Sequence, residues 1–365
     1  MLTSLRIQNF RSLRNLKVEG LTRVSLLVGA NNTGKTSVLE AAELVLAGRH
    51  PAVVAWSPIR RGETSSYERE GWTSGNVDLA HLFSRHAVEN KERFRIEASI
   101  PQARFFEGRL KQGLGTLRVG AKTSLRDLSL KTDSFSAIEL ESDRFTPVLY
   151  ELTDRSISFG TLQRTPGLEA TQPAPGSTQV GFVETTSPDA SSIRDLWDRV
   201  VLTPEEERVT EVLRIIEPDI ERIAALSGSH GRADASIFVK LRDSDQRIPL
   251  GSMGEGIKRL MTLSLNLVNV AGGYLLVDEI DTGLHHSVMV KMWRLVTEAA
   301  KRLNVQVLAT THSLDCVRAL ASLYEEQQDL RDVISVHRIE RNAEHNVPYS
   351  ADELLIAAKH EMEIR

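Results

Sequence analysis

Residues 29–36 read GANNTGKT and match the phosphate-binding pattern G-x-x-x-x-G-K-[ST]. In such a loop the glycines let backbone N–H groups converge on phosphate oxygens, Lys35 reaches the β and γ phosphates, and the Thr36 hydroxyl is offered to Mg²⁺. A glycine turn that only resembles this motif is the alternative. We predict that the loop binds ATP and Mg²⁺ through Gly29, Asn31, Asn32, Thr33, Gly34, Lys35, Thr36 and Ser37.

Two acidic residues end an apolar stretch in YLLVDEID, residues 274–281. Asp278, at the end of the predicted strand, can hold Mg²⁺ through its water shell, and Glu279 points to where a water would attack the γ phosphate. A strand that ends in solvated carboxylates is the alternative. Since the phosphate-binding pattern is also present, we predict that Asp278 joins Thr36 at a metal site.

A second glycine-rich turn, GSMGEG at residues 251–256, precedes a predicted helix. A serine and glycines at a helix N-terminus can receive a phosphate. Because the loop at 29–36 already provides one such surface, the two turns suggest contacts with two different nucleotides; a capped helix start is the alternative.

His312 follows the strand-like VQVLATT and can hydrogen-bond a γ phosphate there, although a lone histidine is often structural.

Strands and helices in alternation must position these residues. An unbroken apolar run leads into the loop at residue 29, and helical spacing follows it until Gly48, a typical helix stop. This alternation predicts an α/β fold of the P-loop NTPase type, with a mostly parallel sheet flanked by helices and two N-terminal antiparallel strands. The other predicted elements are strands near 273–277 and 305–310 and helices near 260–270 and 286–302.

The middle of the chain has a different character. Short alternating segments lie between about 115 and 161, and a run rich in Pro, Ser, Thr, Gly and Gln occupies most of residues 165–192. We interpret residues 113–232 as an inserted strand-and-helix region with a mobile loop near 165–192. The ATPase domain is then discontinuous and consists of residues 1–112 and 233–365.

Bulk composition excludes several classes of protein. The formal charge is −4, from 45 basic and 49 acidic side chains, so no chain-wide field attracts nucleic acid or an anionic membrane. Cys316 is the only cysteine, which excludes an intrachain disulfide and suits a reducing compartment. The sequence has no signal-peptide pattern and no apolar stretch near the roughly 20 residues of a membrane span. We expect a cytoplasmic protein that does not enter the membrane.

Taken in order, these motifs resemble the ATP-binding cassette (ABC) ATPases, in the branch that contains RecF, the SMC proteins and OLD-type ATPases. NFRS at 9–12 resembles the opening of that branch, SMGEG its signature loop, DEIDTGLHHS its Walker B motif and D-loop, and THS its histidine switch. The resemblance covers roughly residues 1–50 and 235–345. The glutamine of the Q-loop has no clear counterpart at a predicted strand end.

This resemblance implies a head-to-tail homodimer that hydrolyses ATP. Each of two ATP molecules would lie between the phosphate-binding loop of one subunit and Ser252, Gly254 and Glu255 of the other. Glu279 would be the general base and His312 the sensor of the γ phosphate, with Lys35 as the third catalytic residue. Arg11, within NFRS, would contact the nucleotide.

About 50 residues follow His312 and predict one strand and one helix, so we expect no Toprim nuclease domain. We infer a nucleotide-gated dimer that controls a separate effector protein, with a nuclease as one candidate and bacterial antiphage defence as a role suggested by fold-level analogy. The alternative is a RecF-like DNA-binding repair ATPase, for which nucleic acid is the partner; an ABC transporter subunit is disfavoured by NFRS and the insertion. Basic residues available to DNA phosphates are Arg49, Arg60, Arg61, Arg104, Arg109 and Lys111.

Overall fold

The computed structural model describes residues 1–69, 72–84, 92–114, 134–153, 155–163, 179–226, 236–244, 246–360 and 362. The strands in chain order are β1 Ser4–Phe10, β2 Leu13–Glu19, β3 Val24–Val28, β4 Thr64–Arg69, β5 Trp72–Asp78, β6 Arg93–Ser99, β7 Arg104–Leu114, β8 Ser134–Ser142, β9 Phe145–Leu152, β10 Ser156–Ser158, β11 Val180–Val183, β12 Ile220–Leu226, β13 Ser236–Leu241, β14 Arg247–Pro249, β15 Tyr274–Val277, β16 Gln306–Thr310, β17 Ile334–Arg338 and β18 Val347–Tyr349. The α-helices are α1 Lys35–Ala47, α2 Trp56–Arg60, α3 Phe159–Gln163, α4 Ala190–Trp197, α5 Pro204–Leu213, α6 Glu255–Asn269, α7 His286–Arg302, α8 Leu314–Glu326 and α9 Ala351–Lys359.

The central sheet has six strands in the order β11-β15-β16-β3-β17-β18. Its first five strands are parallel, and only β18 runs antiparallel to its neighbour. Every residue of β3, β15 and β16 is buried, as expected of strands covered on both faces. The prediction of a mostly parallel sheet is confirmed. Because parallel strands end at one edge, the segments that begin at Gly29, Asp278 and Thr311 follow three adjacent strands there.

One strand of this sheet comes from an unexpected part of the chain. β11 pairs in parallel with β15, with Val183 opposite Val277, and forms an edge of the central sheet. It lies inside the range 113–232 that we expected to be inserted, and α4 and α5 share the hydrophobic core that contains Val24. The structure therefore differs from that expected boundary, because a short apolar segment completes the sheet. Of the loop expected near 165–192, residues 165–178 lie outside the described residues.

A second, antiparallel sheet covers one face of the central sheet. Its order is β2-β1-β6-β7-β8-β9, which includes the two predicted N-terminal strands. Helix α1 lies between the two sheets, since its Val38 and Leu39 share one core with Ile7 of β1 and Leu276 of β15. The helix that follows the phosphate-binding loop is therefore held from both sides.

Helices α6, α7 and α8 contribute to the other hydrophobic core, which contains the buried Trp293 and Cys316. Trp293 donates its indole N–H to the Cys316 carbonyl at 3.0 Å and so ties α7 to α8. Two shorter sheets, β10-β5-β4 and β12-β13-β14, complete the fold. Among the described residues, no helix combines the length and apolar character needed to cross a lipid bilayer.

Candidate functional site

The loop between β3 and α1 requires glycine at two positions. Gly29 has a φ of +148°, and a Cβ there would lie 2.4 Å from the Ile339 carbonyl oxygen. Gly34 has a φ of +100°, and a Cβ there would lie 2.6 Å from Leu13. Side chains are excluded at both positions by conformation and by space. Helix α1 starts at the next residue, so its N-terminus faces the loop.

Lys35 is folded back over this loop. Its ammonium group donates to the carbonyls of Gly29 and Ala30, both at 2.8 Å, and the residue is 8% exposed. Burial lowers the pKa of Lys35 below its ordinary value, while the nearby Glu279 and Asp278 act against that shift. The loop lysine and the two predicted acids therefore share one electrostatic environment.

A cavity of about 380 Å³ lies over the loop. It brings together most of the predicted site residues, which are Arg11, Asn31, Asn32, Thr33, Gly34, Lys35, Thr36, Ser37, Asp278 and Glu279. Four residues that were not predicted to belong to the nucleotide site also line it, namely Ser12, Arg61, Glu63 and Thr310. Thr310 directly precedes the THS motif and ends a predicted strand, and this position in the sequence could have indicated that it belongs to the site.

Asp278 is the centre of a group of hydroxyls. Thr36 donates to both of its carboxylate oxygens, at 3.0 and 3.1 Å, and Thr310 donates to one of them at 2.7 Å. Thr185, which follows β11, approaches the other oxygen at 3.3 Å. Carboxylate and hydroxyl oxygens suit Mg²⁺, which is commonly held by one or two protein groups together with phosphate oxygens and water. Among the described residues, no group of three or more His, Cys, Asp or Glu side chains is placed to hold a metal ion.

Glu279 has an unusual backbone conformation, with a φ of +47°. A left-handed conformation in a residue other than glycine costs about 1–3 kcal/mol and persists only when its surroundings impose it. Its backbone N–H donates to the Thr310 hydroxyl at 2.8 Å, and its carboxylate lies 2.9 Å from Nδ1 of His312. The structure thus places the predicted base and the predicted sensor in direct contact.

Arg11 lies at the wall of the cavity but is bound by acids. It is 4% exposed, and its guanidinium forms ion pairs with Glu40 and Glu63, both at 2.8 Å, and a short contact with Ser57. The two glutamates belong to α1 and to the segment after α2, and Ser57 belongs to α2, so Arg11 braces the helix that follows the loop. A direct contact between Arg11 and a nucleotide stays a prediction.

The second glycine-rich turn lies apart from this cavity. Ser252 belongs to a short 3₁₀ helix, Gly254 has a φ of +92°, and α6 begins at Glu255. Among the described residues, Ser252, Gly254 and Glu255 are absent from the cavity lining. A Cβ at Gly283 would lie 3.1 Å from the Cβ of Glu255, so the turn after Glu279 packs against the start of α6.

A smaller cavity of about 320 Å³ adjoins the first and shares Thr36 and Asp278 with it. The end of β11 forms one of its walls through Phe182, Glu184 and Thr185. The segment that follows β11, residues 184–187, reads ETTS and contains no glutamine that could correspond to the Q-loop residue. Sequence reasoning missed Thr185 because it assigned this segment to a loop.

The chain matches a protein-family model over residues 24–315. The model carries the description "AAA domain, putative AbiEii toxin, Type IV TA system". An "ATP/GTP phosphatase" of Helicobacter pylori is 22% identical over 358 residues, which are 90% of this chain and 89% of that protein. The "DNA double-strand break repair Rad50 ATPase" of Archaeoglobus fulgidus is 37% identical over 67 residues, which are 18% of this chain and 8% of that protein.

The fold also has a match among solved structures. An Smc head, bound in its crystal to the C-winged helix domain of ScpA, superposes with a TM-score of 0.52. The alignment covers 96% of this chain and 97% of the Smc head at 12% sequence identity, so it bears on the fold alone. Together with the family match, it confirms the predicted P-loop fold of the SMC and RecF type.

Proposed function

The chain belongs to the AAA-domain family described as "putative AbiEii toxin, Type IV TA system", and on that premise we propose that it hydrolyses ATP to ADP and phosphate at the cavity over residues 29–36. The observation that carries the proposal is the bond between Thr36 and Asp278, beside Lys35 and Glu279. It joins a phosphate-binding loop to an acidic strand end at one metal-compatible position. The H. pylori relative, named an ATP/GTP phosphatase, supports the same chemistry.

The proposed reaction assigns a role to each group. Lys35 and the backbone N–H groups of the loop hold the β and γ phosphates, and Thr36 and Asp278 would hold Mg²⁺. Mg²⁺, when bound, neutralises charge that develops on the phosphate oxygens. Glu279 accepts a proton from a water as that water forms a bond to the γ phosphorus, and the bond to the bridging oxygen breaks to leave ADP. His312, 2.9 Å from Glu279, orients the carboxylate.

The proposal includes a head-to-tail dimer. Ser252 and Gly254 stand at the N-terminus of α6, where a phosphate is favoured, yet they do not line the cavity of their own chain in the described structure. Each nucleotide would therefore lie between the loop of one subunit and the start of α6 in the other. Residues 283–285 would form part of the subunit contact, and Gly283 lies against Glu255 at the start of α6.

We further propose that this dimer acts with a second protein. The family description names a toxin–antitoxin system, which supports an ATPase that works with a separate effector, a nuclease among the candidates. Antiphage defence remains part of this proposal on fold-level analogy. A cytoplasmic location also remains part of it, because a composition with a single cysteine suits a reducing compartment.

DNA is the second candidate partner, and one cluster of arginines favours it. Arg104 and Arg144 both direct a guanidinium to the Leu46 carbonyl, at 3.4 and 3.2 Å. Burial, and then the charges of Arg104 and Arg49, lower the pKa of Arg144 to about 10, and Asp143 is the acid beside them. The other basic residues suggested for DNA are ion-paired with glutamates, namely Arg60, Arg61, Arg109 and Lys111.

ATP turnover by the parent and by Lys35→Ala tests the enzyme. We expect turnover by the parent and loss of ATP binding in the variant, because Lys35 is the proposed cation for the β and γ phosphates. Lys301→Ala, on the exposed end of α7, is the matched control and should retain turnover. A parent protein that does not hydrolyse ATP contradicts the proposed activity.

Mixed assemblies test the dimer. Lys35→Ala and Ser252→Arg proteins should each be inactive alone, and mixing them should restore activity, because one composite site then contains both native halves. Absence of restoration in mixtures shown to exchange subunits contradicts the head-to-tail arrangement.

Binding to duplex DNA tests the second candidate partner. Affinity that weakens as the salt concentration rises, and that Arg144→Ala reduces, would favour DNA as the partner.

A further inference from the structure

Arg259, in the second turn of α6, is a buried cation bound by backbone carbonyls. It is 1% exposed. Its Nη1 donates to the Glu184 carbonyl at 2.6 Å, and its Nη2 donates to the carbonyls of Asp278 and Glu279 at 2.7 and 2.6 Å. One side chain thus joins α6 to the segment after β11 and to the turn after β15.

The bonds to Asp278 and Glu279 depend on the local backbone. Carbonyls of consecutive residues in a strand point in opposite directions, so one nitrogen can donate to both only where the chain turns. Glu279 makes that turn with a φ of +47°. A left-handed conformation here needs support from its surroundings, and Arg259 supplies two hydrogen bonds to the carbonyls of this turn.

Arg259 carries the positive charge of its guanidinium in a buried position. Burial lowers the pKa of Arg259 to about 10, while Asp281, Asp278 and Glu279 act against that shift. Its Nε is buried without a hydrogen-bond partner among the described residues. Burial of a cation with one donor unsatisfied is unfavourable, which is a cost that a residue with only a packing role would avoid.

We propose that Arg259 is a positioning residue for ATP hydrolysis, which holds the backbones of Glu279 and Glu184 so that the Glu279 carboxylate and the Thr185 hydroxyl flank Asp278. The inference rests on the proposed function. Arg259 lies one helical turn after Glu255, in the helix whose start is proposed to receive the partner's nucleotide. The same side chain therefore links that helix to the residue proposed to activate water.

Steady-state ATP hydrolysis by the full-length chain tests this role. Arg259→Met should lower kcat about 100-fold and leave KM within about threefold, because a displaced base affects the chemical step while Lys35 still binds the phosphates. Arg259→Lys keeps the charge and reaches fewer carbonyls, so we expect about a tenfold loss of kcat. Arg214→Met is the matched control, since Arg214 also donates to two backbone carbonyls, those of Ile220 and Glu221. Arg214 lines neither cavity described above, so the kcat of Arg214→Met should stay near that of the parent.

A double variant separates positioning from general stabilisation. If Arg259 acts through Glu279, adding Arg259→Met to Glu279→Gln should reduce the residual turnover by no more than about threefold. If Arg259 only stabilises the fold, the two losses should multiply. Multiplied losses, or an Arg259→Met protein with the kcat of the parent, overturn the inference.

The outcomes distinguish this inference from the proposed function. A parent protein without ATP hydrolysis overturns the proposed function. If the parent is active and its kcat does not change when Arg259 is replaced, only the positioning role is overturned. If Arg259→Met does not fold, as judged by circular dichroism, the same comparison is made with Arg259→Lys, whose kcat is measured with Glu279 and with Glu279→Gln. A loss of kcat that disappears in the Glu279→Gln background supports the role, and no loss or an equal loss in both backgrounds overturns it.

Discussion

The Thr36 hydroxyl donates to both carboxylate oxygens of Asp278, at 3.0 and 3.1 Å, although 242 positions separate the two residues in the chain. Thr36 stands in the first turn of α1, and Asp278 follows the last residue of β15. The bond therefore joins the two sides of the proposed metal position, one from α1, which packs on the central sheet, and one from the end of β15.

Asp278→Asn should weaken the response to Mg²⁺. The amide keeps the shape of the side chain and loses the charge, so the Mg²⁺ concentration for half-maximal ATP hydrolysis should rise at least about tenfold. Magnesium titrations of the parent, Asp278→Asn and the exposed control Asp329→Asn measure this shift. Identical titration curves for the parent and Asp278→Asn would contradict the metal assignment.

Glu279→Gln should separate binding from turnover. The amide cannot accept the proton of the attacking water, so turnover should fall by roughly 100-fold to 10,000-fold while ATP binding persists. Light scattering with ATP should then report a trapped dimer. Phosphate release measures the loss, and Glu211→Gln on the exposed side of α5 is the control. Undiminished turnover in Glu279→Gln would remove the catalytic assignment.

Thr185→Val tests whether the segment after β11 contributes to the site. The change removes a hydroxyl 3.3 Å from the Asp278 carboxylate, and we expect the Mg²⁺ requirement to rise by about threefold to tenfold. Thr185→Ser should behave like the parent because it keeps the hydroxyl. The neighbouring Thr186→Val, which removes a hydroxyl from the same cavity, is the control. If Thr185→Val and Thr186→Val raise the Mg²⁺ requirement equally, the effect comes from altered packing and not from loss of the Thr185 hydroxyl.

His337 should make stability depend on pH. It is 1% exposed, and burial lowers its pKa from the ordinary 6.5 to about 4. Between these values the unfolded chain binds the proton and the folded chain does not, so the free energy of unfolding should fall by up to about 3 kcal/mol as the pH drops from 6.5 to 4.

His337→Gln removes this titration. Denaturant unfolding at several pH values should give a shallower acid dependence for His337→Gln than for the parent, whereas the exposed control His345→Gln should follow the parent. Parallel curves for all three proteins would show that His337 does not contribute. Comparison with the parent is essential because carboxylates also titrate in this range.

Several features were predictable from the sequence because they depend on neighbours along the chain. The predicted helix 286–302 has the same bounds in the structure, and the loop before α1 has the expected strand, glycine and helix order. Hydrophobic periodicity and the conformations accessible to glycine depend on only a few neighbouring residues, so they can be recognised in the sequence without knowledge of the fold. Lys35, Thr36, Asp278 and Glu279 were selected on such local patterns, and the structure places them at one cavity.

Other features were decided only by the tertiary structure. β11 is four residues long, and its place beside β15 depends on hydrogen bonds to a strand about 90 residues away, which local periodicity does not report. The same distance separates Thr185 from Asp278, and Arg259 reaches carbonyls whose identity no side-chain pattern encodes. The sequence by itself therefore determined which residues form the proposed triphosphate site. The fold decided which distant backbone and hydroxyl groups surround them, because those contacts form only when the sheet brings separate strand ends to one edge.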